Sequence, residues 1–461
     1  MNRLKNRNIY FVAIVFVVLL NFLSSDLPFF WDTLLTSTIT QHFYTNGFQQ
    51  LILPQNFDAG HPPLFYIYIT CWYIVLGKSL FIAHLAMLPF CILGIVSFIQ
   101  LMRFFSFSKT QQYVGVLLYF SIPAVLTQNT LISYDQVLLS LYLAGLVAIL
   151  KNKKIAFLII AIGIVGVTLR GLFGIAALSL TLFFIQHKNI KSWMQWNIFL
   201  LPSVAIIAFW YYYHFTQTGW WLSTNAAGWS QQRGIVDVKG LFKNFLSIAR
   251  CFFDMGIVVL SILCAIYFFK IKKIDKYLWL FLIPMLLFSI SFLPFTNPIN
   301  HRYFLIVYVL MLLPVVQLLS SKKILFSLLT SIALFVGHFQ IYPVPISNAW
   351  DCTMMYTSYL SAKDDFDNLN SRGFHIDKSK IGTVFPMNVS LYQSNMYNDK
   401  EQLINVHGKS IDSIQYVLYS NVGNDFSDEQ IEQIKKWKPV AQFNRKPVSL
   451  ILYENPIYNK K

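Results

Sequence analysis

The sequence predicts an all-α polytopic membrane bundle of about 11 to 13 transmembrane helices followed by a small α/β soluble domain. Three observations carry that reading. The chain is 56% hydrophobic and only 12% charged over 461 residues, roughly half the charged share of a soluble domain. Its apolar residues gather in successive blocks of roughly 15 to 25, each long enough as a helix to cross a hydrocarbon core of about 30 Å. Beyond residue 341 all four Glu of the chain appear (Glu401, Glu429, Glu432, Glu454) and the apolar runs shorten to strand length. Residues 1–341 are therefore expected to form the bundle and 342–461 the soluble domain.

The net charge of +16 would suggest nucleic acid in a soluble protein, but its distribution excludes that partner. Residues 1–340 carry 23 Lys and Arg against 7 acids, whereas 341–461 carry 13 of each. The excess sits in short clusters between apolar blocks: Arg3, Lys5, Arg7; Arg103, Lys109; Lys151, Lys153, Lys154; Lys188, Lys191; Lys270, Lys272, Lys273, Lys276; and Lys322, Lys323. The alternate loops 24–61 and 128–135 hold no Lys or Arg. This is the positive-inside pattern. It places the N-terminus in the cytoplasm and the C-terminal domain outside, on the periplasmic side of a bacterial-type inner membrane.

Taken in order, Ile9 to Leu23 reads as a retained first helix, because no small-x-small cleavage site follows it. The spans are expected near 9–24, 80–102, 113–127, 136–150, 155–169, 171–186, 195–216, 254–270, 277–295, 303–319 and 324–341. Residues 61–77, HPPLFYIYITCWYIVLG, are apolar enough to cross, but counting them reverses every later cationic loop. Their aromatics, Phe65, Tyr66, Tyr68, Trp72 and Tyr73, suit the membrane interface instead. Long outside loops remain at 25–60 and 218–253, where function is usually built. In the soluble domain Ile381–Phe385, Gln415–Tyr419 and Val448–Tyr453 read as strands. Asp428–Trp437 reads as a helix opened by a Ser427/Gln430 capping box. The five cysteines show no disulfide or zinc spacing.

Carboxylates are scarce in the bundle, which makes each informative. Asp32 precedes a helical stretch, TLLTSTITQHFY, and is either an N-terminal cap or a functional acid or base. Asp135 opens a span and carries the same two readings. Asp58 and His61 flank a compact turn before Pro62 and Pro63; they are either turn residues or, beside Asp32, ligands of a divalent metal ion. Arg170 interrupts a stretch of apolar residues at the expected outer surface. It either snorkels or pairs with a lipid phosphate. Arg302 and Tyr303, in His301-Arg302-Tyr303, offer a second cation and a hydrogen-bond donor, or an interface anchor. Trp220, Trp221 and Trp229 fit sugar stacking and interface anchoring equally.

In this order, the first-loop Asp32, the HPPL-x-Tyr segment from His61, Asp135, Arg170-Gly171 and His301-Arg302-Tyr303 resemble the GT-C membrane glycosyltransferases. The nearest group is the ArnT-like and protein O-mannosyltransferase-like one (glycosyltransferase family 39). The resemblance spans about residues 1–320 of the chain. It implies transfer of a sugar from a polyprenyl-phosphate carrier to an acceptor hydroxyl of a lipid, glycan or protein, outside the membrane and with inversion. Asp32 and Asp135 would then be catalytic, with Arg170, Arg302 and Tyr303 binding the lipid phosphate. Departures are Asp32-Thr33 where many relatives have Asp-Glu, Arg170-Gly171 for the common Lys-Gly, and His61 where some relatives have a metal-binding Glu. The competing reading is a transporter or flippase of lipid-linked sugars, which usually shows internal repeats and broken helices at mid-bilayer. Neither is visible in the sequence.

Overall fold

The computed structural model describes residues 8–55, 57–185, 189–221, 234–271, 276–296, 298–319, 324–339, 350–369, 371, 373, 376–388, 403–423 and 425–458. Trp229, Lys188, Lys272, Lys273, Asp275, Lys322 and Lys323 lie outside the described residues.

Helices α1 (Asn8–Leu23), α2 (Thr33–Asn46), α3 (Leu64–Leu76), α4 (Leu80–Phe104), α5 (Lys109–Ser121), α6 (Pro123–Gln128) and α7 (Tyr134–Leu150) build the first half of the bundle. α3 has 13 residues, a rise of about 20 Å, and it packs between α2 and α4. The expected span at 113–127 is two helices: Ile122, held extended (φ −69°, ψ 117°) before Pro123, ends α5. The second half comprises α8 (Lys154–Val167), α9 (Gly171–Ile185), α10 (Ile190–Asn197), α11 (Leu201–Thr218), α12 (Val238–Phe253), α13 (Ile257–Ile271), α14 (Lys276–Phe292), α15 (Leu305–Leu318) and α16 (Ile324–Val336).

The loop expected over 218–253 contains a full helix, α12, which meets α13 at 86°. Met255 (φ 48°) and Gly256 (φ 76°) make that corner in left-handed conformations. Three helical segments are long and apolar enough to cross a membrane, Leu80–Phe104, Ile190–Thr218 and His301–Leu318. The bent α12–α13 pair counts as a fourth, and seven further apolar helices have 10–17 residues. The expected 11 to 13 spans therefore exceed what helix length alone supports among the described residues. The shortfall comes from helix length, seven apolar helices having only 10–17 residues, and from the break at Ile122, which divides the expected span at 113–127. Large apolar side chains stand exposed on α1 (Phe11, Leu23), α8 (Ile155, Ile159), α11 (Phe209), α13 (Phe269) and α16 (Leu325, Ile332). Surface of this kind needs lipid as its solvent, and the chain is an integral membrane protein.

After the bundle, α17 (Tyr356–Asp367) and α18 (Asp428–Lys435) accompany a mixed sheet of β1 (Ile381–Thr383), β2 (Ile404–Asn405), β3 (Tyr416–Ser420), β4 (Lys438–Arg445) and β5 (Val448–Glu454). The strand order is β2-β1-β3-β5-β4. β1 runs parallel to β2 and β3, and β5 runs antiparallel to β3 and β4. The Ser427/Gln430 capping box forms as expected; α17 and β4 were not foreseen. The core of this unit is not its own alone. Phe30, Trp31 and Leu131 from the bundle half of the chain join Tyr356, Leu418, Leu450 and Leu452 in one buried cluster. Trp31 lies edge-on to Phe385, with ring centroids 5.0 Å apart.

Candidate active site

Each charged residue of the candidate site stands where a helix starts or breaks. Asp32 occupies the N-cap position of α2 but makes no capping hydrogen bond. Thr33 instead ties the turn together, its hydroxyl accepting from the Phe30 amide at 2.8 Å. Ser133, not Asp135, caps α7: its hydroxyl accepts from the Asp135 amide at 3.1 Å. Both carboxylates are thus released from the structural work a helix start would assign them.

Arg170 sits in the break between α8 and α9. That break depends on Gly171, since a Cβ there would stand 2.1 Å from the Ile164 carbonyl oxygen. Arg302 lies in the 3-10 turn His301–Phe304 that leads into α15.

The fold gathers these residues into one ion cluster. Arg170 Nη2 is 2.5 Å from Asp135 Oδ1, and Arg302 Nε is 3.5 Å from Asp135 Oδ2. Arg302 also pairs directly with Asp32 and with Asp351, and its Nη2 donates to the Tyr303 hydroxyl at 3.1 Å. The Arg170 guanidinium lies over the Tyr303 ring, 4.3 Å from its centroid. Four of the five charged side chains have relative exposures of 10% or less, whereas Asp32 is 39% exposed. The open side of the cluster is therefore the side of Asp32. Two guanidiniums face three carboxylates in a buried setting, where removing one partner leaves an uncompensated buried charge. The open side can take an anion at the Arg302 Nη2 edge, beside Tyr303, and a hydroxyl beside Asp32.

Asp351 was missed by sequence reasoning. It lies on the turn Trp350–Cys352, its carboxylate accepts from Asn300 Nδ2 at 3.0 Å, and its backbone carbonyl accepts from Gln128 Nε2 at 2.7 Å. A signal was present: Trp350-Asp351 repeats the Trp31-Asp32 pair, and both tryptophans enter the same buried cluster. Burial outweighs the pull of Arg302 and pushes the Asp351 carboxyl up to about 6.

Asp58 and His61, the pair expected to hold a metal, each have a partner in the fold. Asp58 accepts from the Gly60 amide at 2.7 Å through Oδ1 and meets His214 Nε2 at 2.8 Å through Oδ2. His61 Nδ1 accepts from the Leu169 amide at 3.5 Å, and its ring lies 5.7 Å from that of Tyr134. His61 thus borders the Arg170 break while Asp58 ties its turn to α11. Among the described residues no group of three or more His, Cys, Asp or Glu is placed to hold a metal ion. His301 pairs with Asp254 at the α12–α13 corner, so it braces that bend. Trp220 packs edge-on to His214 (4.4 Å) and Trp221 stacks on Phe215 (4.6 Å); neither forms part of the ion cluster.

A helical bundle with an interrupted end, followed by a small mixed sheet, is a fold already seen in solved structures. The fold matches the crystal structure of ArnT from Cupriavidus metallidurans bound to undecaprenyl phosphate over 98% of this chain and 99% of that one, with a TM-score of 0.56 and 12% identity. It matches the apo state of the same protein over 97% of both chains, with a TM-score of 0.57 and 12% identity. The cryo-EM structure of the arabinofuranosyltransferase AftD from Mycobacteria matches 98% of this chain and 40% of that one, with a TM-score of 0.52 and 12% identity. No protein-family model and no curated protein matches the chain.

Proposed function

We propose that this protein is a membrane glycosyltransferase that moves a sugar from a polyprenyl-phosphate carrier to an acceptor hydroxyl of a lipid, glycan or protein. The observation that carries the reading is the cluster in which Arg170 and Arg302 converge on Asp135 while Asp32 faces outward. The fold shared with ArnT, crystallised with undecaprenyl phosphate, supports the choice of donor. In this reading the acceptor oxygen attacks the anomeric carbon and Asp32 takes its proton. The bond from that carbon to the phosphate oxygen breaks, the phosphate leaves with the electron pair, and the anomeric centre inverts. Arg170 and Arg302 stabilise the charge that develops on the leaving phosphate, with the Tyr303 hydroxyl as a further donor, and Asp135 holds the two guanidiniums in register. Transfer takes place on the non-cytoplasmic side of a bacterial-type inner membrane, with the N-terminus inside, the soluble domain outside, and the shorter helices completing 11 to 13 crossings.

The test is release of free polyprenyl phosphate from radiolabelled lipid-linked sugars by the purified protein, with and without EDTA. Asp32→Asn is expected to slow release by roughly 10²- to 10⁴-fold, and Arg170→Ala by roughly 10²- to 10³-fold. Unchanged release in Asp32→Asn removes the base assignment. Transport of intact donor without release by the wild type replaces the transferase reading with a flippase. The EDTA arm reads metal dependence directly.

A further inference from the structure

Arg302 is held by carboxylates from three separate parts of the chain, and they are not equivalent. Asp135 comes from the bundle and grips Nε at 3.5 Å. Asp32 comes from the first loop, pairs with Nη2 and is partly exposed. Asp351 pairs with Nη1 and is 98% buried. The turn that carries Asp351 straddles two cores: Trp350 belongs to the cluster of the mixed sheet and Cys352 to that of the bundle. Gln128 and Asn300 hold the turn on the bundle side. An incoming phosphate can displace only the exposed partner, Asp32. Displacing Asp351 or Asp135 would strand a buried charge.

We infer that Asp351 is a positioning residue: it clamps Arg302 from the closed side, so that the segment leading into the soluble domain completes the phosphate-binding site. The inference rests on the transferase reading for its kinetic arm and on geometry alone for its binding arm. With Nη1 held by buried Asp351, the Nη2 edge is presented toward Asp32 and Tyr303, where the leaving phosphate would lie. Removing the Asp351 charge has two separable effects. It lowers the negative potential at the phosphate and it frees the guanidinium to rotate.

The experiment compares wild type with Asp351→Asn at pH 7.5, measuring equilibrium binding of undecaprenyl phosphate and the kcat and KM of its release. Phosphate binding is expected to tighten by about tenfold, from the loss of one nearby like charge. In the same variant kcat is expected to fall by about 100-fold through misplacement of the cation. A merely structural role predicts weaker binding and lower kcat together, and that outcome overturns the proposal; so does a kcat within twofold of wild type. If the wild type releases nothing from any donor, the transferase reading fails, and the binding comparison alone then decides the inference, with equal affinities overturning it. If Asp351→Asn does not fold, Asn300→Ala replaces it. That variant removes the hydrogen bond steadying the Asp351 carboxylate while keeping its charge. A roughly tenfold loss of kcat at unchanged KM is then expected, and an unchanged kcat overturns the proposal.

Discussion

A single guanidinium shared by three carboxylates makes Arg302 the residue on which the site turns. Its pH behaviour follows from Asp351, whose carboxyl burial pushes up to about 6 against the attraction of Arg302, with Asp32 and Asp135 adding to the rise and Cys352 beside it. As pH falls through 6, Asp351 takes a proton and one of the three negative charges disappears. Undecaprenyl phosphate is therefore expected to bind the wild type more tightly at pH 5.5 than at pH 8, by more than the change seen in Asp351→Asn. The variant reports only the protonation of the phosphate and of the remaining groups, so parallel binding curves would assign the titration elsewhere. Asp32, Asp135, Arg170 and Arg302 were legible in the sequence because a charge in an apolar setting is conspicuous. Asp351 was not, because it stands in a polar stretch where one more Asp attracts no notice, and its pairing with Arg302 exists only once the chain is folded.

At the scale of elements, legibility followed uniformity. α4, a long unbroken apolar run, was read nearly to its ends, and the α8–α9 break was marked by Arg170 itself. α12 was read as loop because it alternates exposed Phe242, Phe245 and Leu246 with Lys239, Lys243 and Arg250. Such a pattern fails a search for continuous apolar spans yet suits a helix lying at the membrane interface. β4 was missed because KPVAQFNR is an edge strand, paired on one side only and polar at both ends. The α8–α9 break also carries a prediction. A Cβ on Gly171 would meet backbone, with the Ile164 carbonyl oxygen at 2.1 Å and the Val165 Cα at 2.9 Å, and backbone cannot move aside as a side-chain tip can. Gly171→Ala is expected to cost about 1–3 kcal/mol, read as a fall of several degrees in melting temperature. Its effect on sugar release should exceed its effect on stability, because Arg170 is the adjoining residue. Wild-type melting and wild-type release together would show that the break tolerates a side chain.

For the whole molecule, the polarity of the helices ties the site to one face. α7 has Asp135 of the ion cluster in its first turn, is 17 residues long and ends beside Lys151, a rise of about 25 Å. α8 starts from Lys154 and climbs back to the Arg170 break. The cations that mark the cytoplasmic side in sequence thus stand at the end of these helices away from the cluster, and the mixed sheet, joined to Trp31 and Trp350, stands at the cluster end. If cations orient the chain as they do in other membrane proteins, the site and the soluble domain share the non-cytoplasmic side. Alkaline phosphatase fused after Lys461 is then expected to be active in intact bacterial cells. The same enzyme inserted between Lys151 and Lys153 should be inactive, and a fluorescent protein at that position should mature. The reverse pair of results would turn the molecule over and put sugar transfer on the cytoplasmic face. It would leave the cluster intact but require a donor whose phosphate and sugar are presented there.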